Sequence, residues 1–177
     1  MTSISANIST PATADTPLNE HDTRYLRHAL QLAITAKNAG RHPFGAVVVD
    51  ADGTILSEAG NNSMPPGGDP TQHAERVEAA QAAQRATPAM LARATLYTNA
   101  EPCAMCAGAI YWCGIGRVVY ALSEQQLLAL TGNHPENPTL SLPCRTVFAS
   151  GQRPVDVVGP LPQFEAEAAA PHIGFWS

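Results

Sequence analysis

Between His21 and Ala39 apolar residues return at helical spacing. Tyr25, Leu26, Ala29, Leu30, Ala33 and Ile34 form one stripe, which predicts a helix that Gly40 ends. The pattern then changes. Phe44 to Val49 is apolar and β-branched and reads as a strand. Asp52-Gly53 is a hairpin signal, and Thr54 to Ala59 is the returning strand. Asn61 to Pro70 holds three prolines and two adjacent glycines and is read as a loop. Thr71 then caps a helix over Gln72 to Arg85. Downstream the sequence predicts a strand over Ala94 to Thr98 and a helix from Pro102 to about Cys113. A strand over Arg117 to Ala121 and a short helix capped by Ser123 and running to Leu130 follow. Thr131 to Pro143 is a loop, Val155 to Val158 a last strand and Gln163 to Ala170 a last helix. A hairpin followed by alternating strands and helices implies an α/β sandwich with helices on both sheet faces.

Composition narrows the class. The chain has 177 residues, 45% of them hydrophobic, enough for one domain with a buried core. Residues 1–17 are mostly Ser, Thr, Ala and Pro. They have neither a basic start nor an apolar stretch, so they read as a disordered tail rather than a secretory signal. One domain is expected over 18–177. No apolar run is long enough to cross a bilayer, which points to a cytoplasmic chain without a membrane partner. The net charge is −5 and Lys37 is the only lysine, a balance that argues against a nucleic-acid partner. Beyond Val118, Arg145 and Arg153 stand against Glu124, Glu136, Asp156, Glu165 and Glu167, a poor match for a phosphate backbone.

Two short segments carry the chemistry: His73-Ala74-Glu75 and Pro102-Cys103-Ala104-Met105-Cys106. Taken singly, His73 is an ordinary cap or surface histidine and Glu75 a solvated carboxylate. Cys103 and Cys106 lie three apart on a helix face, a spacing that suits either a zinc pair or a redox dithiol. Taken together, two thiolates and an imidazole make three ligands and leave a fourth position for water, the arrangement of a catalytic rather than a structural zinc. Residues two apart on a regular helix point about 200° apart, so His73 and Glu75 share a site only in an irregular first turn. Glu75 would then move protons while the metal activates water. Cys113 and Cys144 read as buried spectators.

These segments resemble the cytidine deaminase-like superfamily, whose signature is His-x-Glu followed by Pro-Cys-x-x-Cys. The resemblance runs from Tyr25 to about Ala121 and also rests on Pro43-Phe44-Gly45-Ala46-Val47, Asn61-Asn62 and Asp69-Pro70-Thr71-Gln72. The run through Met105-Cys106-Ala107-Gly108-Ala109 is similar to the purine-type branch of bacterial guanine deaminases, nucleoside deaminases and tRNA adenosine deaminases. The resemblance implies a three-layer α/β/α sandwich around a five-stranded mixed sheet, usually dimeric. It implies one zinc ion per chain on His73, Cys103 and Cys106, with Glu75 as the catalytic proton carrier. The substrate would be a free nucleobase or nucleoside of guanine, guanosine or adenosine type. It also implies a substrate-reading asparagine eleven residues before the histidine, which counts back to Asn62. Phe44, Ala74, His134 and Trp176 are further substrate-contact candidates. Thr131 to Asn137 departs from the Gly-Phe-Asp segment of guanine deaminases, leaving Asn133, His134 or Glu136 to replace its acidic contact. The Phe175-Trp176 tail either folds over a pocket or docks on the core. A tRNA substrate, and an inactive zinc-stabilised binding module, are the alternatives.

Overall fold

The computed structural model describes residues 18–132 and 134–176. The expected disordered tail and Asn133 lie outside the described residues. Helix α1 (Glu20–Asn38) leads into strands β1 (Gly45–Val49) and β2 (Ile55–Gly60). Helices α2 (Ala74–Arg85) and α3 (Pro88–Leu91), strand β3 (Thr95–Ala100), helix α4 (Ala104–Cys113) and strand β4 (Arg117–Leu122) follow. The chain continues through α5 (Glu124–Thr131), α6 (Cys144–Ala149), β5 (Asp156–Val158) and α7 (Glu165–Ala169), the last flanked by 3-10 turns at Pro162–Phe164 and Ala170–His172. No helix among the described residues is long and apolar enough to cross a membrane.

All five strands form one mixed sheet in the order β2-β1-β3-β4-β5. The β1 strand is antiparallel to β2 and β3, whereas β3, β4 and β5 are parallel. Side chains alternate across the sheet as the two-residue strand period requires. Val48, Leu96, Val118 and Tyr120 pack toward α2, α4 and α6, and Val47, Val49, Tyr97 and Val119 pack toward α1 and the α7 segment. That is the three-layer α/β/α arrangement the sequence predicts. Gly45 lets α1 lie directly on β1, since a Cβ there would sit 2.5 Å from the Ala29 carbonyl oxygen.

Two helix starts and two short helices differ from expectation. Thr71 does not cap α2: its main-chain N–H and hydroxyl both donate to Asp69, and Gln72 donates to the same carboxylate. This side-chain-closed turn holds residues 69–72 out of the helix, so α2 begins at Ala74 with His73 as N-cap. Likewise Pro102 is not the first residue of α4; Cys103 is its N-cap. The short helices α3 and α6 were not expected. Six residues or fewer leave too little period to see. Helix α5 follows the expectation closely, because Ser123 and Gln126 form a reciprocal capping box.

One buried group weakens this core. Glu78 of α2 is 0% exposed, and neither carboxylate oxygen has a hydrogen-bond partner among the described residues. Ser57 donates to its main-chain carbonyl instead. Burial pushes the carboxyl up to about 7. A carboxyl raised in the folded state stabilises least at high pH: stability is greatest below the unfolded pKa and declines as pH rises toward 7. Glu78→Gln is therefore expected to stabilise by about 3 kcal/mol at pH 8 and much less at pH 5. Thermal melts should show a midpoint gain of roughly 5–10 °C at the higher pH. An equal gain at both pH values would mean that the charge is not the cause.

Candidate active site

The parallel strands end, and β1 begins, on one edge of the sheet, where open α/β sheets form their crevices. Phe44 precedes β1, Asn61 follows β2, Glu101 follows β3 and Glu124 opens α5 after β4. Together they line one cavity of about 570 Å³, with His73, Glu75 and Cys103 in its wall. Asn99, fully buried, fixes the start of β1. Its Oδ1 accepts from Gly45 N at 3.0 Å, and its Nδ2 donates to the Pro43 carbonyl at 3.0 Å. The Asn61 main-chain N–H donates to the Phe44 carbonyl at 2.8 Å, so these two wall residues sit opposite each other where the hairpin ladder ends.

His73 and Cys103 are both N-caps with extended backbone, at the starts of α2 and α4. This resolves the angular problem of His73 and Glu75, since only Glu75 lies within the helix. Cys103 Sγ is 3.8 Å from His73 Nδ1 and 3.6 Å from Cys106 Sγ, and the three donor atoms lie within 4.8 Å of one another. Tetrahedral zinc with ~2.3 Å bonds to sulfur separates its sulfurs by about 3.8 Å. The donor set and its spacing therefore fit such an ion.

Electrostatics inside the cluster already favours ligation. The sulfur–sulfur hydrogen bond with Cys106, together with His73, pulls the Cys103 thiol down to about 4. The same hydrogen bond, with burial, pushes Cys106 up. The contact with Cys103 raises His73. Glu75 is 4% exposed, and burial raises its carboxyl. Thr98, on the face of β3 toward α2, donates to Glu75 Oε1 at 2.9 Å. The other oxygen, Oε2, is 3.5 Å from Cys106 Sγ.

The remaining candidates divide. Phe44 lines the cavity and also packs with Leu127 and Trp176. Asn62 is not on the wall; its amide donates to the Gly67 carbonyl and to the Gln72 side chain, bracing the loop. Asn61 takes the wall position. A count of eleven back from His73 transfers only between loops of equal length, and a loop one residue longer moves the role to Asn61. Ala74, buried at the start of α2, is off the wall, and so are the half-buried His134 and the buried Trp176. Trp176 docks behind the wall instead of covering the cavity. Its Nε1 donates to His172 at 3.2 Å, and its ring packs against His42, Phe44 and His134. The tail thus buttresses His42 and Phe44. His42 had no signal in the sequence. It lines the cavity, lies 3.2 Å from the Ser63 hydroxyl and 3.3 Å from Glu136, and burial lowers its pKa. Of the loop candidates, Glu136 reaches the wall.

Fold and donor set together define an α/β/α protein with a crevice bordered by three side chains that could hold a metal ion. The chain belongs to the cytidine and deoxycytidylate deaminase family: the profile of that family's zinc-binding region matches residues 19–122. A probable cytosine deaminase of Schizosaccharomyces pombe is 42% identical over 163 residues, covering 92% of this chain and 97% of that protein. The guanine deaminase of Bacillus subtilis is 44% identical over 102 residues, 57% of this chain and 64% of that one. A solved guanine deaminase structure from Nitrosomonas europaea superposes with a TM-score of 0.68 at 24% identity, covering 90% of this chain and 87% of that one, a likeness of fold.

Proposed function

We propose that the chain is a zinc-dependent hydrolytic deaminase that releases ammonia from the exocyclic amine of a free nucleobase or nucleoside. One observation carries the reading. The donor cluster of His73, Cys103 and Cys106 and the Glu75 carboxylate adjoin a cavity, lined by His73, Cys103 and Glu75 among others, with no lysine or arginine among its described lining residues. A phosphate-bearing substrate, tRNA included, needs such cations, so an uncharged heterocycle fits better. Phe44, Met105, Leu127 and Pro65 supply apolar surface for a planar ring, and Asn61 can donate and accept at one polar edge.

In this reading His73, Cys103 and Cys106 hold one zinc ion per chain. The chemistry a bound zinc supplies is activation of a water, because the dication lowers the water's pKa toward neutrality. Glu75 Oε2 takes the proton of the attacking water while Thr98 holds Oε1 in place. Glu75 then delivers that proton to the ring nitrogen, takes a second proton from the hydroxyl group now on the ring carbon, and passes it to the departing amine. Water adds at the amidine carbon, the C–N bond breaks, and carbonyl product and ammonia result. The deep placement of Glu75 beside the donors is what argues against an inactive binding module, which has no use for it.

A purine-type ring is the first reading, carried by the run from Met105 to Ala109. Cytosine is the second, favoured by the likeness over nearly its whole length to the S. pombe protein described as a probable cytosine deaminase. The test is ammonia release from guanine, guanosine, adenosine, cytosine and cytidine, with the matching monophosphates alongside. A base or nucleoside is expected to be turned over at least about tenfold better, in kcat/KM, than its monophosphate, the equivalent of ~1.4 kcal/mol. Preference for the phosphorylated compound, or for tRNA, would defeat the reading. The proposal includes a cytoplasmic, homodimeric state. Trp112 on α4, 81% exposed, is an apolar surface that a second copy could cover.

A further inference from the structure

Glu124 is the one acidic wall residue left without a task. It is the first residue of α5, where a carboxylate ordinarily faces water and favours the helix dipole. Here it is 5% exposed and turned to the cavity instead. Its main-chain N–H is held by Glu101 Oε2 at 3.1 Å, and the other Glu101 oxygen accepts from Cys144 N at 2.8 Å. The position of Glu124 is therefore fixed by its backbone. Its carboxyl group makes no hydrogen bond with any described residue. Unlike those of Glu78, its oxygens are not sealed inside the core; they open onto the cavity. Burial, followed by the nearby Cys103, Glu101 and Glu75, pushes it up to about 8. No described residue partners the group, and the cavity is the direction from which a partner can arrive.

We propose that Glu124 is a substrate-reading residue, its carboxyl group hydrogen-bonding an N–H or O–H donor of the bound base or nucleoside on the wall across from Asn61 and Phe44. The assignment rests on the deaminase reading above. It gives the pocket a preference for donor-rich, unphosphorylated compounds, because Glu136 in the same wall repels a phosphate and no lysine or arginine lines the cavity among the described residues. It also separates two sources of the donor: a ring or amino N–H belongs to the base, and a hydroxyl to the sugar.

The test compares zinc-loaded wild type, Glu124→Gln and Glu124→Leu. Equilibrium binding and ammonia release are followed for guanine, guanosine, cytosine and cytidine, with zinc content and melting temperature measured in parallel. Because the carboxyl has no protein partner, Glu124→Leu should fold, keep its zinc and melt no lower than wild type. For the compound wild type uses best, KM should rise at least thirtyfold in Glu124→Leu with a smaller change in kcat. Glu124→Gln, which keeps a donor and an acceptor, should recover most of that loss. A loss shared by base and nucleoside places the donor on the ring; a loss confined to the nucleoside places it on the sugar. Binding and KM within threefold of wild type in Glu124→Leu would overturn the assignment while leaving the deaminase reading intact. Loss of zinc in that variant would also overturn it, since Glu124 would then be a support of the metal site. A wild-type protein that neither binds nor deaminates any of the four compounds removes both readings.

Discussion

Glu75→Ala is expected to reduce turnover roughly a thousandfold or more and to leave the metal content unchanged. A positioned general acid–base group contributes ~10²–10⁴ in rate, and Glu75 is proposed to act in more than one proton transfer of the same cycle. Its geometry fits that work. Thr98 fixes one oxygen from β3, the rigid centre of the sheet, and the helix start at Ala74 fixes the backbone. Burial raises the carboxyl, so a proton taken there is held rather than lost to solvent. Glu75→Gln should be nearly as slow as Glu75→Ala, because the amide keeps the shape and the Thr98 contact but can neither take up nor release a proton. The two variants together separate proton transfer from packing. Zinc by elemental analysis should stay near one per chain in both. Turnover within tenfold of wild type in Glu75→Gln would sink the proton-carrier role.

The site was more legible in the sequence than its pocket was, for a physical reason. That His73, Cys103 and Cys106 come together could be anticipated because metal ligation would restrict residue type, and a three-donor set is rare enough to stand out against ordinary histidines and cysteines. The sandwich was legible because strand and helix periods differ and because Ser123 with Gln126, or Gly40 after the first helix, marks ends locally. The wall residues carry no such signature. His42, Asn61 and Glu124 line the cavity because β1, β2 and β4 meet at one sheet edge, a fact of strand pairing that no short window contains. Asn62 was chosen over Asn61 by counting along an irregular loop, where one residue of slippage exchanges a wall position for a loop brace. Trp176 was left open between lid and core. Its partner His172, buried and held neutral with a pKa of about 4, lies only four residues away in a segment with little period to read.

His73→Ala should lose the zinc that Glu75→Ala keeps, and that contrast separates ligand from proton carrier within a three-residue segment. Removing groups that merely orient a ligand already weakens metal sites by ~10–100-fold, so deleting one of three donors should weaken binding by more than about 100-fold. Cys106→Ala should behave alike and add a packing defect, since Cys106 is fully buried beneath α4's first turn. Because zinc binds the folded state, a hundredfold loss of affinity lowers apparent stability by ~2.7 kcal/mol at a fixed free zinc concentration. Melting temperature should therefore fall in His73→Ala and Cys106→Ala when zinc is present; when a chelator strips all three, the gap to wild type should close for His73→Ala and shrink to the packing defect for Cys106→Ala. The same comparison decides the fate of the cysteine pair. In a metal site, Cys103 and Cys106 are shielded from alkylation by zinc and exposed by chelation. In a redox dithiol, alkylation is indifferent to zinc and is blocked by oxidation. A His73→Ala protein that binds one zinc as tightly as wild type would remove His73 from the site, whereas alkylation indifferent to zinc in wild type would leave the two sulfurs, 3.6 Å apart, to the redox reading.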